Sequence, residues 1–277
     1  VQLNGQAVLA SKPVRTGDLL SYTPEPTPEP MVDGAWEMLL EQATLLAVNK
    51  PGNLPSHPGG RYLRHTLWWL LRAHLGHDPH LLNRLDRETS GIVLVARDGA
   101  TAGRLQALWT SGQVQKDYLA VVQGFFPESV QAEGYLSAEP QSPVRKQRRF
   151  TTHDPGDSES ASTHFRCLAR GTSASLVLCQ PVTVRLHQLR ATLLGLGYPI
   201  LGDKLYGGDP TQFLKFVEGT LSQAELTASG IARQALHAWR LTLPDLSTPG
   251  EQLAIIAPPP TDLTMLMAHH GLTMPVA

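Results

Sequence analysis

Between residues 83 and 91 the chain reads Asn-Arg-Leu-Asp-Arg-Glu-Thr-Ser-Gly and then runs into the apolar stretch Ile92 to Ala96. One carboxylate, Asp86, stands between two arginines, Arg84 and Arg87. A carboxylate can attack an electrophilic carbon and later leave, and a neighbouring guanidinium keeps it ionised and fixes its direction. The same residues can instead form a solvated surface ion pair, the ordinary fate of such clusters. The setting favours chemistry. Thr89, Ser90 and Gly91 suit a tight loop, and the β-branched run behind them predicts a buried strand that anchors it.

Further along, Lys116 to Gly124 predicts a strand carrying Tyr118, which by type alone is either core or the aromatic wall of a site. The block Thr183-Val-Arg-Leu-His-Gln-Leu-Arg190 precedes an apolar helix over 191–196, with Arg190 at its start. Residues 139–154 hold Arg145, Lys146, Arg148, Arg149 and His153 with no acid between Glu139 and Asp154. This basic island is either a solvated loop or a flexible loop that grips RNA backbone, with the adjacent Phe150 stacking on a base. His74, His77 and His80 could mimic metal ligands. Gly76 and Pro79 interrupt their helix, however, and no cysteine or carboxylate set completes a four-ligand site.

The elements that must position these groups follow from periodicity. Residues 1–23 predict short strands joined by Asn4-Gly5 and Thr16-Gly17-Asp18, too little for a self-sufficient domain. Residues 24–36 open as a Pro-rich extended linker, and 37–277 form the main domain. Within it, Leu45 to Lys50 predicts an apolar strand ended by Pro51-Gly52, with Lys50 a solvated loop lysine by type. Leu67, Leu70, Leu71 and Leu75 recur at helical spacing beside Trp68 and Trp69, which read as packing residues. Residues 98–108 predict a second helix, 155–160 a mobile turn, 162–168 and 175–179 paired strands, 211–233 a weakly helical excursion, 236–243 and 253–256 closing strands, and 263–270 a terminal helix.

Bulk properties narrow the classes. A chain of 277 residues with 42% hydrophobic content can bury a sizeable core. A net charge of -1 argues against holding nucleic acid by bulk charge, although 17 of the 23 basic residues are arginine, the side chain suited to phosphate and base stacking. Cys167 and Cys179 lie in strand-like runs and read as reduced thiols, which points to the cytosol. No apolar run reaches transmembrane length, and no leader-like segment opens the chain.

The motif around Asp86 resembles the catalytic motif of the RluA-type pseudouridine synthases, His-Arg-Leu-Asp-x-x-Thr-Ser-Gly. Asn49-Lys50-Pro51 is similar to that family's first motif, Lys116 to Gly124 to its tyrosine signature, and Thr183 to Arg190 with Gly197 to Asp203 to its Thr-Gly-Arg-x-His-Gln-[Ile/Leu]-Arg block. The resemblance extends over residues 37–262, ending on Asp262. Residues 1–23 resemble the end of an αL-type RNA-binding module, with a plain β extension as the other reading.

What the resemblance implies is an α+β pseudouridine synthase fold: a curved, mixed, largely antiparallel sheet with flanking helices and a central cleft. It implies Asp86 as nucleophile, Tyr118 against the base and Arg190 paired with Asp86. Arg84, Arg145, Lys146, Arg148, Arg149, Arg185, His187 and Gln188 become RNA contacts. The partner is RNA, with rRNA favoured over tRNA, and the enzyme is a monomer without cofactor, metal or membrane. Two positions depart from the pattern: Asn83 replaces His and Val184 replaces Gly. A silent RNA-binding protein on the same fold is one alternative. A hydrolase is another, but it needs a second carboxylate, which Glu88 is poorly placed to supply.

Overall fold

The computed structural model describes residues 1–22, 28–209, 211–248 and 250–274. Asn4 and Gly5, at φ 51° and 81°, form the two-residue turn expected of Asn-Gly, joining β1 (Gln2–Leu3) to β2 (Gln6–Ala7). With β3 (Leu20–Ser21) they make a small antiparallel sheet in the order β2-β1-β3. Asn4 and Asp18 tie its loops together through their side chains at 2.9 Å.

Residues 24–27 of the expected linker lie outside the described residues. Its later part is pinned rather than free. The Glu29 carboxylate accepts the backbone N–H groups of Leu63, Arg64 and His65 at 2.8–3.0 Å. Burial pushes this carboxyl up, but the three donors outweigh it and hold it at about 2.

The remaining strands are β4 (Glu37–Glu41), β5 (Leu45–Lys50), β6 (His80–Leu81), β7 (Ser90–Ala96), β8 (Gln115–Gln123), β9 (Ser129–Ala138), β10 (Arg148–Thr151), β11 (Ser158–Arg170), β12 (Ala174–Pro181), β13 (Leu236–Pro244) and β14 (Gln252–Ile256). Helices α1 (Leu67–Leu75), α2 (Gly99–Thr110), α3 (Gln188–Gly195), α4 (Thr211–Glu218), α5 (Gln223–Thr227) and α6 (Thr261–His269) fall between or after them. The strands form one sheet in the order β10-β9-β11-β12-β8-β13-β7-β5-β4, with β14 on β13 and β6 on β7. Among the described residues only the β13–β7 pair is parallel. The architecture is α+β, as the resemblance implies.

Alternation along the central strands explains why both faces are covered. In β7, Ile92, Leu94 and Ala96 pack with Leu105 of α2, whereas Val93 and Val95 face the other way onto Leu67 and Leu71 of α1. Thr66 caps α1 by accepting the Trp69 N–H at 3.3 Å, and Gly76 ends it at φ 76°. Asp98 caps α2 through the Thr101 N–H at 2.7 Å.

Three local expectations change. Residues 158–160 belong to β11, paired with Ser137, Leu136 and Tyr135 of β9, so the mobile turn is shorter than its composition suggests. The basic island is partly strand, since Arg148 to Thr151 pair with Ala138 to Tyr135. Phe150, expected to stack on a base, is 9% exposed and packs in the core against Gly195 of α3. Strand alternation turns it inward.

Candidate active site

The loop between β6 and β7 is held at nearly every residue. The Asn83 amide donates to Ile92 O at 2.9 Å, and its oxygen accepts the Leu94 N–H at 2.8 Å. Ser56 Oγ donates to Leu85 O at 2.8 Å and accepts the Leu85 N–H at 3.1 Å. Arg87 O accepts from Leu54 N–H at 3.0 Å and Lys50 Nζ at 3.3 Å. Arg233 Nη1 donates to Glu88 O at 3.1 Å, and Gln234 donates to Thr89 Oγ1. Ser90 Oγ lies 2.9 Å from His237 Nδ1, whose other nitrogen donates to Ala257 O at 3.0 Å. Since a carbonyl only accepts, His237 carries its proton on Nε2 and receives the Ser90 hydroxyl on Nδ1. Burial drives its pKa down to about 4, in keeping with that neutral form. With the loop fixed this completely, Leu82, Asn83, Arg84, Leu85, Asp86 and Thr89 line the cleft, and Arg84 and Asp86 are the charged side chains among them.

Lys50 corrects an expectation. It is fully buried instead of solvated, donating from Nζ to Pro51 O and Leu54 O at 2.8 Å as well as to Arg87 O. Burial, with the nearby Arg233, pushes its pKa down to about 7. Arg87 is also engaged: it bonds Tyr62 Oη and lies 4.0 Å from the Phe216 ring centroid. Glu88 pairs with Lys204 at 2.7 Å, both nearly buried, so it is not a free acid for hydrolysis. Burial pushes the Glu88 carboxyl up, against the pull of Lys204.

Asp86 keeps 30% of its side chain exposed at the floor of a cleft of about 430 Å³. Arg190, the third residue of α3, donates from Nη1 to Asp86 Oδ2 at 2.6 Å. Its Nε and Nη2 grip both oxygens of Asp203 at 2.7 and 2.9 Å, and Tyr206 lies 4.9 Å from its guanidinium. Burial alone would raise the Asp86 carboxyl, but Arg190 and His187 reverse this and hold it below the ordinary value. Tyr118 lines the same cleft from β8. Burial and the charge of Asp86 push its hydroxyl up to about 12, so it stays protonated.

His187 opens α3 in the left-handed conformation at φ 56° and sets its ring beside Asp86, with Nε2 3.9 Å from Oδ1. Its Nδ1 lies 2.9 Å from Tyr206 Oη, which accepts the Arg148 N–H. The buried Tyr206 hydroxyl therefore donates to Nδ1, leaving the His187 proton on Nε2, toward the carboxylate. Burial pushes the His187 pKa down to about 4, so the ring is neutral.

The other expected RNA contacts divide into two groups. Arg84 and Arg185 line the cleft, Arg185 paired with Glu159 at 3.4 Å. Gln188 borders the cleft but is 4% exposed and turned inward, its amide engaged by Ser162 O, Thr163 and Thr183. Arg145, Lys146, Arg148 and Arg149 lie outside the lining of the cleft. Arg148 is half-buried and folds back on the carbonyls of Arg145 and Gln147. Sequence reasoning gave no role to Asp203, Tyr206, Trp109 or Lys116. Lys116 had a visible signal, because it stands two residues before Tyr118 and so shares its face of β8.

Among the described residues no three histidine, cysteine or acidic side chains gather as metal ligands. No helix there is long and apolar enough to cross a membrane.

Comparison with known proteins agrees with this geometry. A sequence profile for RNA pseudouridylate synthase matches residues 44–194, more than half of the chain. Ribosomal large subunit pseudouridine synthase D of Xylella fastidiosa is 33% identical over 281 residues, covering 97% of this chain and 80% of that protein. The mitochondrial tRNA pseudouridine(32) synthase of Saccharomyces cerevisiae is 31% identical over 211 residues, covering 76% of this chain but only 45% of that longer relative. The solved structure of human RNA Pseudouridylate Synthase Domain Containing 4 superposes with a TM-score of 0.66 at 27% identity, over 86% of this chain and 94% of that one. With its fold, its ordered motifs and these relatives in agreement, the chain belongs to the RluA-type family of RNA pseudouridine synthases, isomerases that act on uridine in RNA.

Proposed function

We propose that this protein converts particular uridines of structured RNA to pseudouridine, with Asp86 as the nucleophile. In that reaction the bond from ribose C1′ to uracil N1 breaks, a bond from C1′ to C5 forms, C5 loses a proton and N1 takes one up. Nothing is oxidised and no atom is added, so the reading calls for no cofactor and no metal. The observation that carries it is the Asp86 carboxylate, ionised by Arg190 and open to a cleft walled by Tyr118. Arg190 holds the attacking group, Tyr118 packs on the base, and His187 offers its Nε2–H at the edge of the same space. Arg84 and Arg185 hold the distorted backbone once the uridine has left its stack, which costs a few kcal/mol. Arg145, Lys146 and Arg149, outside the cleft, meet RNA further from the target.

Large-subunit ribosomal RNA is the substrate class we favour over tRNA. The support is that the Xylella relative named for it matches 97% of this chain. Residues 1–23 serve as a partial RNA-binding module, residues 24–36 as linker and 37–277 as the catalytic domain. The enzyme works as a cytoplasmic monomer.

The test is tritium release from RNA carrying uridine tritiated at carbon 5, using ribosomal and transfer RNA transcripts. Wild type releases tritium and Asp86→Asn does not, while both bind RNA. A wild type that binds without release is a silent binding protein, and the proposal fails.

A further inference from the structure

A second cleft, of about 450 Å³, opens beside the first and shares Leu82 and Gln106 with it. One face of α2 walls both: Trp109 and Gln106 line the active cleft, and Gln106, Gly103 and Ala102 line its neighbour. These positions span eight residues, so the wall runs for about 10 Å along the helix. At the Trp109 end sits Lys116, 9% exposed, with its Nζ 5.7 Å from the indole centroid. Among the described residues, Lys116 Nζ and the Arg84 guanidinium have neither hydrogen-bond nor ion-pair partner. Both face the active cleft. His57 and His80 line the far end. Asp86 apart, no described carboxylate lines either space.

A buried lysine with no counter-ion is costly in the empty protein and is relieved by an anion. Acid-free walls, free cations and ring faces spaced along a groove match single-stranded nucleic acid, whose phosphates need charge and whose bases need stacking partners. We propose that the RNA strand flanking the target uridine lies in this trough along α2, with a backbone phosphate on Lys116 and an unstacked base against His57 and His80. This rests on reading the first cleft as the site that takes the target uridine. It adds the path of the neighbouring strand.

The test uses Gly103, where an added Cβ meets nothing within 4 Å and glutamate suits the helix better than glycine. Binding of a fluorescein-labelled oligouridylate of about ten nucleotides is followed by anisotropy. Gly103→Glu is expected to weaken binding about tenfold at low salt, because it sets an anion in the path of the phosphates. Gly103→Gln and Arg104→Gln stay within about twofold, the latter changing net charge equally from a residue outside both clefts. Lys116→Met weakens binding and lowers the slope of log affinity against log salt by about 1. Equal effects of Gly103→Glu and either control, or no measurable binding by wild type, overturn the trough. If the binding differences appear but wild type forms no pseudouridine, the catalytic reading fails and the trough stands. If pseudouridine forms and Gly103→Glu changes neither binding nor KM, the reverse holds.

Discussion

Asp203 aims Arg190 at Asp86. The fully buried Asp203 carboxylate takes two of the guanidinium nitrogens and also accepts the Leu205 and Tyr206 N–H groups at 3.0 Å, leaving one nitrogen for Asp86. The orientation of the outer ion pair is thus set by the inner one.

Asp203→Asn should therefore lower kcat about a hundredfold by loosening that aim while leaving KM nearly unchanged. Arg190→Ala is a different case, since it strands Asp203 without a counter-charge and should cost about 3–5 kcal/mol in denaturant unfolding. Equal melting of the two variants would contradict this division.

Acid tests the Asp86 pair. Its carboxyl titrates below the ordinary value when folded, so the unfolded chain takes up the proton first as pH falls. The pair stabilises fully above about pH 4 and loses its contribution as pH drops through the folded pKa. The stability gap between wild type and Asp86→Asn should accordingly be constant from neutral pH down to about 4 and narrow below it.

Lys50 gives an opposite pattern on the alkaline side. Its three carbonyl acceptors match the three N–H groups of the ammonium form, and its pKa is about 7. Raising the pH through that value frees one carbonyl, the Arg87 oxygen being the longest contact at 3.3 Å. We expect kcat to fall severalfold there. The unfolded chain keeps this proton to about pH 10, so the Lys50 contribution to stability rises over the same interval. Parallel loss of stability and activity from pH 7 to 9 would refute the assignment.

Asn83 uses both ends of its amide on β7. Asn83→Ala leaves a donor and an acceptor of that strand without partners, for a loss of about 1–3 kcal/mol. Asn83→Asp should be worse, because a carboxylate cannot donate to Ile92 O. Thermal melts of the two variants at pH 7 decide the order.

Gly91 sits at φ 113°, and a Cβ there would fall 2.2 Å from Ala238 O. Gly91→Ala must push β13 from β7 as well as strain the backbone, so a cost above about 3 kcal/mol is expected in urea titrations. A near-neutral effect would mean the two strands can part without harm.

Much of this was readable in the residues. Apolar and β-branched runs over Leu45 to Lys50, Ile92 to Ala96 and Lys116 to Val122 mark central strands, and helical spacing over 66–75 and 98–108 marks α1 and α2. Asp86, Tyr118 and Arg190 were named from motifs and line one cleft. The unexpected strands are β4, β6, β9 and β10. Ser129 to Ala138 is polar along one face and broken by Gly134, so its conformation comes from pairing with β11 and β10, which local pattern does not carry. Lys50 looked solvated because burial of a lysine depends on carbonyls brought from residues 51, 54 and 87. Phe150 was misread for a related reason: its charged neighbours hid a two-residue period that turns the ring under α3.

In the sheet, β13 lies between β7, which follows the Asp86 loop, and β8, which carries Tyr118. β7 and β8 are consecutive strands joined through α2, but their spacing is set by a segment from residues 236–244. A ribosome-bound fragment that ends before this segment holds both side chains without the strand that sets them apart. The spacing of the site therefore waits on a segment made well after both side chains have been added to the chain.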